Sequence, residues 1–98
     1  MPQEKTIIFA KKGLMRFISH LDTLRLFQRA LRRADLPLSF SQGYSPHIKL
    51  KIIPAIKLGL ESDDLKAVIR FGGIVSDTQI IKRLKDNLPK GIDILEVK

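Results

Sequence analysis

Arg25, Arg29, Arg32 and Arg33 stand at i, i+4, i+7 and i+8. At 3.6 residues per turn this spacing places four guanidinium groups on one helix face, opposite Leu24, Phe27 and Leu31. Acidic compensation is scarce: Asp22 lies one turn before Arg25, and Asp35 follows the cluster. A solvated helix face normally mixes signs, because like charges four apart repel by roughly 0.2–0.5 kcal/mol. The planar fork of arginine suits phosphate and carboxylate. The structural alternative is that Arg32 and Arg33 occupy the last helical turn, where cations complement the helix dipole.

A second cluster lies in "SFSQGYSPH", residues 39–47. Gly43 permits a positive φ, Pro46 stiffens the exit and Tyr44 sits between them. A rigid loop presenting Ser41, Gln42, Tyr44 and His47 is a recognition element, or a tight connection whose tyrosine packs back on the core. The histidines are His20 and His47 alone. Two imidazoles from distant segments make a poor metal site, and no metal or other cofactor is expected. The structural reading of His20 is a first-turn helix residue packed on its neighbours, and of His47 a loop-to-strand residue fixed by Pro46. The chain has no cysteine, which removes disulfides, thiolate metal sites and a cysteine nucleophile. There is no glycine-rich phosphate loop and no G-x-S-x-G elbow. Glu61, Asp63 and Asp64 read as a solvated hairpin tip rather than a cation site. An enzyme using His20 or His47 with Asp22 is the third-ranked function.

The net charge is +8 over 98 residues, and it is uneven. Residues 1–51 hold ten Lys or Arg against three Asp or Glu, while residues 52–98 hold eight against seven. This asymmetry points to a polyanionic partner, nucleic acid first and an acidic protein surface second. No apolar run is long enough for a membrane span or a secretory signal, so the expectation is a cytoplasmic protein with no membrane partner. The length fits one domain over residues 1–98.

The elements that must position these groups follow from periodicity. "KTIIFAKKG" predicts a strand over 6–11. Ser19 and Asp22 begin a helix in capping-box fashion, and Leu21, Leu24, Phe27, Leu31 and Ala34 form its apolar stripe, ending near Asp35 ahead of Pro37. "HIKLKII" alternates and predicts a second strand, "GLESDD" a turn and "LKAVIRF" a third strand. Ser76 and Gln79 begin a second helix with Ile80, Ile81, Leu84 and Leu88 facing inward, and "IDILEV" is a last strand. The order β-α-β-β-α-β predicts an α+β, ferredoxin-like split βαβ sandwich: a four-stranded antiparallel sheet with both helices on one face. The open sheet face should then carry Lys49, Lys51, Lys66 and Arg70. Phe71 alternates to the buried side, so this face lacks the stacking aromatics of RNA-recognition modules. Lysines there also serve simply as polar cover.

Three motifs read from Phe9 to Lys49 carry a resemblance: "F-x-K-x-G-x-x-x-F-I-S-H-L-D", "R-A-L-R-R-A-x-L-P" and "S-Q-G-Y-S-P-H-x-K". In order and spacing they resemble the N-terminal half of the radical-SAM-associated domain of unknown function, found in bacteria alone or fused behind a cobalamin-binding-type radical SAM protein. The match is dense over residues 7–49 and looser through "LGLES" and "LPKGIDILEV". The matching positions are Lys11, Gly13, Phe17, Ser19, His20, Asp22, Arg25, Arg29, Arg32, Arg33, Ser41, Gly43, Pro46, His47 and Lys49. The resemblance implies a role beside a radical SAM enzyme with links to RNA metabolism, and it assigns these residues no chemistry. Family members usually carry acidic and aromatic residues where this chain has Leu65, Lys66 and Ala67, and they usually continue further. A short member, or the N-terminal part of a longer protein, is therefore expected. The chain lacks the C-x-x-x-C-x-x-C cluster motif and is not itself the radical SAM enzyme.

The function expected is a non-catalytic basic binding module that contacts RNA, tRNA or rRNA, as an accessory to a radical SAM protein. Its contact residues would be Arg25, Arg29, Arg32, Arg33, Lys11, Lys49, Lys51, Gln42 and Tyr44, with Ser19, His20, Asp22, Ser41, Gly43, Pro46 and His47 as a possible functional motif. The alternative is a protein-interaction module that docks an acidic surface of the radical SAM partner without RNA.

Overall fold

The computed structural model describes residues 3–44 and 47–98. Four strands, β1 (Gln3–Lys11), β2 (Leu50–Ile53), β3 (Ser62–Phe71) and β4 (Ile92–Val97), form one sheet in the order β2-β3-β1-β4. Every neighbouring pair is antiparallel. Helix α1 (His20–Arg33) joins β1 to β2, and α2 (Asp77–Asn87) joins β3 to β4. This is the expected α+β split βαβ arrangement.

The strands form because their apolar residues alternate. Ile7 and Phe9 of β1, Leu65, Ala67, Ile69 and Phe71 of β3, Ile52 of β2 and Ile92 and Ile94 of β4 all point to one face. Both helices cover that face. Phe27, Ala30 and Leu31 of α1 and Ile80 and Leu84 of α2 are buried in the same core, with the Phe9 and Phe27 rings 4.7 Å apart. The helix starts are set by serines: Ser19 Oγ accepts from the Asp22 N–H at 3.0 Å, and Ser76 Oγ from the Gln79 N–H at 3.2 Å. No helix among the described residues is long and apolar enough to cross a membrane.

Several expected boundaries move. β1 begins at Gln3 rather than residue 6. β3 begins at Ser62, so Asp63 and Asp64 are exposed strand residues, not part of a turn. The regular β2 ladder starts at Leu50, while Ile48 makes an isolated bridge with Phe40. A 3-10 helix over Gly13–Phe17, which carries no periodic signal, fills the space between β1 and α1. Leu21 is exposed rather than part of the buried stripe. It lies about 120° around α1 from Phe27. Thr23 is buried instead, with its hydroxyl donating to the Ser19 carbonyl at 2.9 Å.

Candidate nucleic-acid interface

Helix α1 turns its outward face to solvent, and Arg25, Arg29, Arg32 and Arg33 are all exposed on it. Arg25 reaches Asp22 at 3.4 Å. The other ion pair among the described residues is Lys5–Asp77, which leaves Arg29, Arg32 and Arg33 with no carboxylate within 4.0 Å among those residues. Arg32 and Arg33 stand in the last turn of α1, where their charge complements the helix dipole. Arg83 of α2 donates to the carbonyls of Ala34 and Asp35 at 3.0 and 2.9 Å, at and just past the C-cap of α1. No sequence pattern signals this contact, because Arg83 is remote from α1 in the chain.

A groove of about 420 Å³ runs along the base of this face, between α1, the 3-10 helix and the turn after α2. Its floor is Met15, Ile18, Leu26 and Pro89, and Asp22, Arg25 and Arg29 edge it. Beyond Met15 it meets a second groove of about 580 Å³, lined by Lys12, Gly13, Leu14, Lys90, Gly91 and Asp93. Neither groove was foreseeable without the 3-10 helix that forms one wall of both.

The remaining residues of the first motif hold the helix start. Lys11, read from sequence as a contact residue, is 3% exposed and takes no part in the surface. Its ammonium donates to the Ile18 carbonyl at 2.6 Å, just ahead of the Ser19 cap. Burial lowers the Lys11 pKa from the ordinary lysine value, opposed by the Asp22 carboxylate. Burial arises because the odd-numbered residues of β1 face the core, so Lys11 follows Ile7 and Phe9 inward. Gly13 adopts a φ of 61° and donates its N–H to Glu61 Oε2 at 2.7 Å.

The third motif forms a braced loop at the other end of the sheet. The Ser41 N–H donates to the His47 carbonyl at 2.8 Å, and the His47 N–H donates to Ser41 Oγ at 2.9 Å. Gly43 has a φ of 129°. Gln42, Tyr44 and His47 are exposed, and Tyr44 is fully so, which excludes a tyrosine packed on the core. Pro46 lies outside the described residues. His20 is the first residue of α1, while His47 follows the loop beyond its far end, so the chain's two histidines do not share a site. Among the described residues no group of three His, Cys, Asp or Glu could hold a metal ion.

On the open sheet face Lys49, Lys51, Lys66 and Arg70 are exposed, as their alternation with Ile48, Leu50, Ile52, Leu65, Ala67 and Ile69 requires. Lys49, Leu50, Lys51, Val68, Arg70 and Glu4 line an open depression of about 420 Å³ there. The structure therefore divides the sequence-predicted cations into two sets on opposite sides of the sheet, with Lys11 buried between.

No curated protein and no solved structure matches the chain. The model of the family described as an uncharacterized protein conserved in bacteria (DUF2344) matches residues 6–98, all of the architecture above but the first residues of β1, and the chain belongs to that family.

Proposed function

We propose that this chain is a non-catalytic RNA-contacting module that serves a radical SAM enzyme. The observation that carries the RNA contact is the row Arg29, Arg32 and Arg33, exposed on α1 without a carboxylate within 4.0 Å among the described residues. Such a row accepts a phosphate backbone with little internal rearrangement. The radical SAM partner is supported by the resemblance of the three motifs.

The test is fluorescence-anisotropy binding of folded tRNA, rRNA fragments and a mixed single strand across a salt series. The natural chain is compared with an Arg29→Glu, Arg32→Glu variant. Structured RNA should bind at near-physiological salt, with log K falling by about 0.9 per phosphate contacted for each decade of salt. The variant should lose that binding. Weak, indiscriminate binding that vanishes at this salt would sink the RNA reading.

A second reading has its own support. Leu14, Phe17, Leu21, Leu58 and Leu60 are all more than half exposed. The Gly59 N–H to Arg16 carbonyl bond of 2.7 Å draws Leu58 and Leu60 beside the 3-10 helix. This apolar end, with the arginine-edged groove next to it, suits an apolar and acidic surface of the radical SAM protein. Saturable binding to that protein, with RNA binding no better than that of any basic protein, would favour this reading.

A further inference from the structure

The open sheet face, with Ser41 and His47 at the neck of the loop beside it, lies on the side of the sheet away from the α1 arginines. The neck of the loop is fixed by the two Ser41–His47 bonds, and the Lys49 N–H donates to the Ser39 carbonyl at 3.1 Å. The Arg70 N–H in turn donates to the Lys49 carbonyl at 3.0 Å, which ties the neck to β3. The neck therefore stands at the β2 edge of the sheet beside Lys49 and Arg70, and Tyr44 lies three residues beyond Ser41. Lys49, Lys51, Lys66 and Arg70 have no carboxylate within 4.0 Å among the described residues. Glu4, opposite Arg70 in the β1–β3 register, is the one acidic residue lining the depression.

Polar cover explains lysines on an open sheet. It does not explain a tyrosine ring left fully exposed just beyond a braced neck. A line of unpaired cations with an exposed aromatic at its end is the arrangement that binds single-stranded nucleic acid: the cations track the backbone and the ring stacks a base. Only an unpaired nucleotide can offer its base face to such a ring. We infer that the open face of β2 and β3 binds a single-stranded RNA segment, its phosphates on Lys49, Lys51 and Arg70 and one base stacked on Tyr44. This goes beyond the α1 reading and stands on a separate surface, so either can fail without the other.

Tyr44 is the sole tyrosine and the chain has no tryptophan, so its intrinsic fluorescence reports on this ring alone. The experiment is a titration of the full chain with an unstructured uridine 12-mer, read by tyrosine fluorescence and by anisotropy of a labelled copy. Inorganic polyphosphate is titrated in parallel as a backbone without bases. The expected result is quenching by the 12-mer and none by polyphosphate. Tyr44→Ala should weaken 12-mer binding about tenfold or more while Tyr44→Phe retains it. Lys49→Ala with Lys51→Ala should reduce the salt slope by about 1.4. The Arg29→Glu, Arg32→Glu variant should still quench. Unchanged tyrosine fluorescence at saturating 12-mer, or equal affinity of Tyr44→Ala, would overturn the inference. Loss of quenching in the α1 variant would also do so, by assigning the strand to the helix face.

Discussion

Lys11 sits at 3% exposure with its ammonium on the Ile18 carbonyl, in the short segment that sets the angle between β1 and α1. A hydrogen bond from a charged donor contributes about 1.5–3 kcal/mol, and deleting it also leaves a carbonyl unpaired. Lys11→Ala should therefore lower stability by about 2 kcal/mol in urea melts. The pH dependence has a definite sign. Burial lowers the folded-state pKa below the unfolded value of about 10.4. Between the two the unfolded chain binds more protons, so stability rises as pH climbs through that window. Lys11→Met should lack this rise, which a comparison of melts across alkaline pH measures. An equal rise in both proteins would remove Lys11 as its source. Such a residue looks in sequence like any other cation, and only the inward direction of odd β1 positions marks it. Gly13, Ser19, Ser41 and the backbone of His47 likewise have structural work to do, whereas the side chains of Arg29, Arg32, Arg33, Gln42 and Tyr44 are exposed without a hydrogen bond among the described residues.

At the scale of elements, period and capping carried most of the fold. The serine caps, the inward stripe of α2 and the alternation of β3 and β4 all stand where the sequence placed them. The 3-10 helix was illegible because five residues without periodicity look like loop, and it builds the groove walls and the apolar end. The early start of β3 was illegible because Asp63 and Asp64 read as turn residues, although pairing with β1 extends to Ser62 opposite Lys11. One contact fixes the 3-10 helix against the turn before β4. Gly91 has a φ of 101°, and its carbonyl accepts from the Lys12 N–H at 2.8 Å. A Cβ there would stand 2.7 Å from both the Lys12 carbonyl oxygen and Met15 Cγ. Gly91→Ala should destabilise by about 2 kcal/mol or more, combining a left-handed backbone with overpacking. Melting measures it; a change under ~0.5 kcal/mol, the size of an ordinary surface substitution, would mean the turn yields freely.

The whole molecule measures 37 × 32 × 20 Å, and its two exposed cation sets face away from each other across the sheet. Helix α1 presents one set outward from the covered face, and Lys49, Lys51 and Arg70 present the other from the open face. A single RNA can engage both only by passing around an edge. The loop bearing Tyr44 stands at the β2 edge, which makes that the route. Crossing the thin dimension of 20 Å at about 3.4 Å per stacked nucleotide takes about six nucleotides. A stem with a single-stranded tail should therefore bind as a bivalent ligand once the tail exceeds that length, with the second contact made at high effective concentration. Stems with tails of 2, 4, 8 and 12 nucleotides should show a step in affinity between 4 and 8. Below that length the stem engages the α1 face alone, so Tyr44→Ala should leave short-tail affinity unchanged and lower it only for the longer tails. A smooth rise in affinity with tail length would mean that both parts of the RNA lie on one continuous basic surface instead.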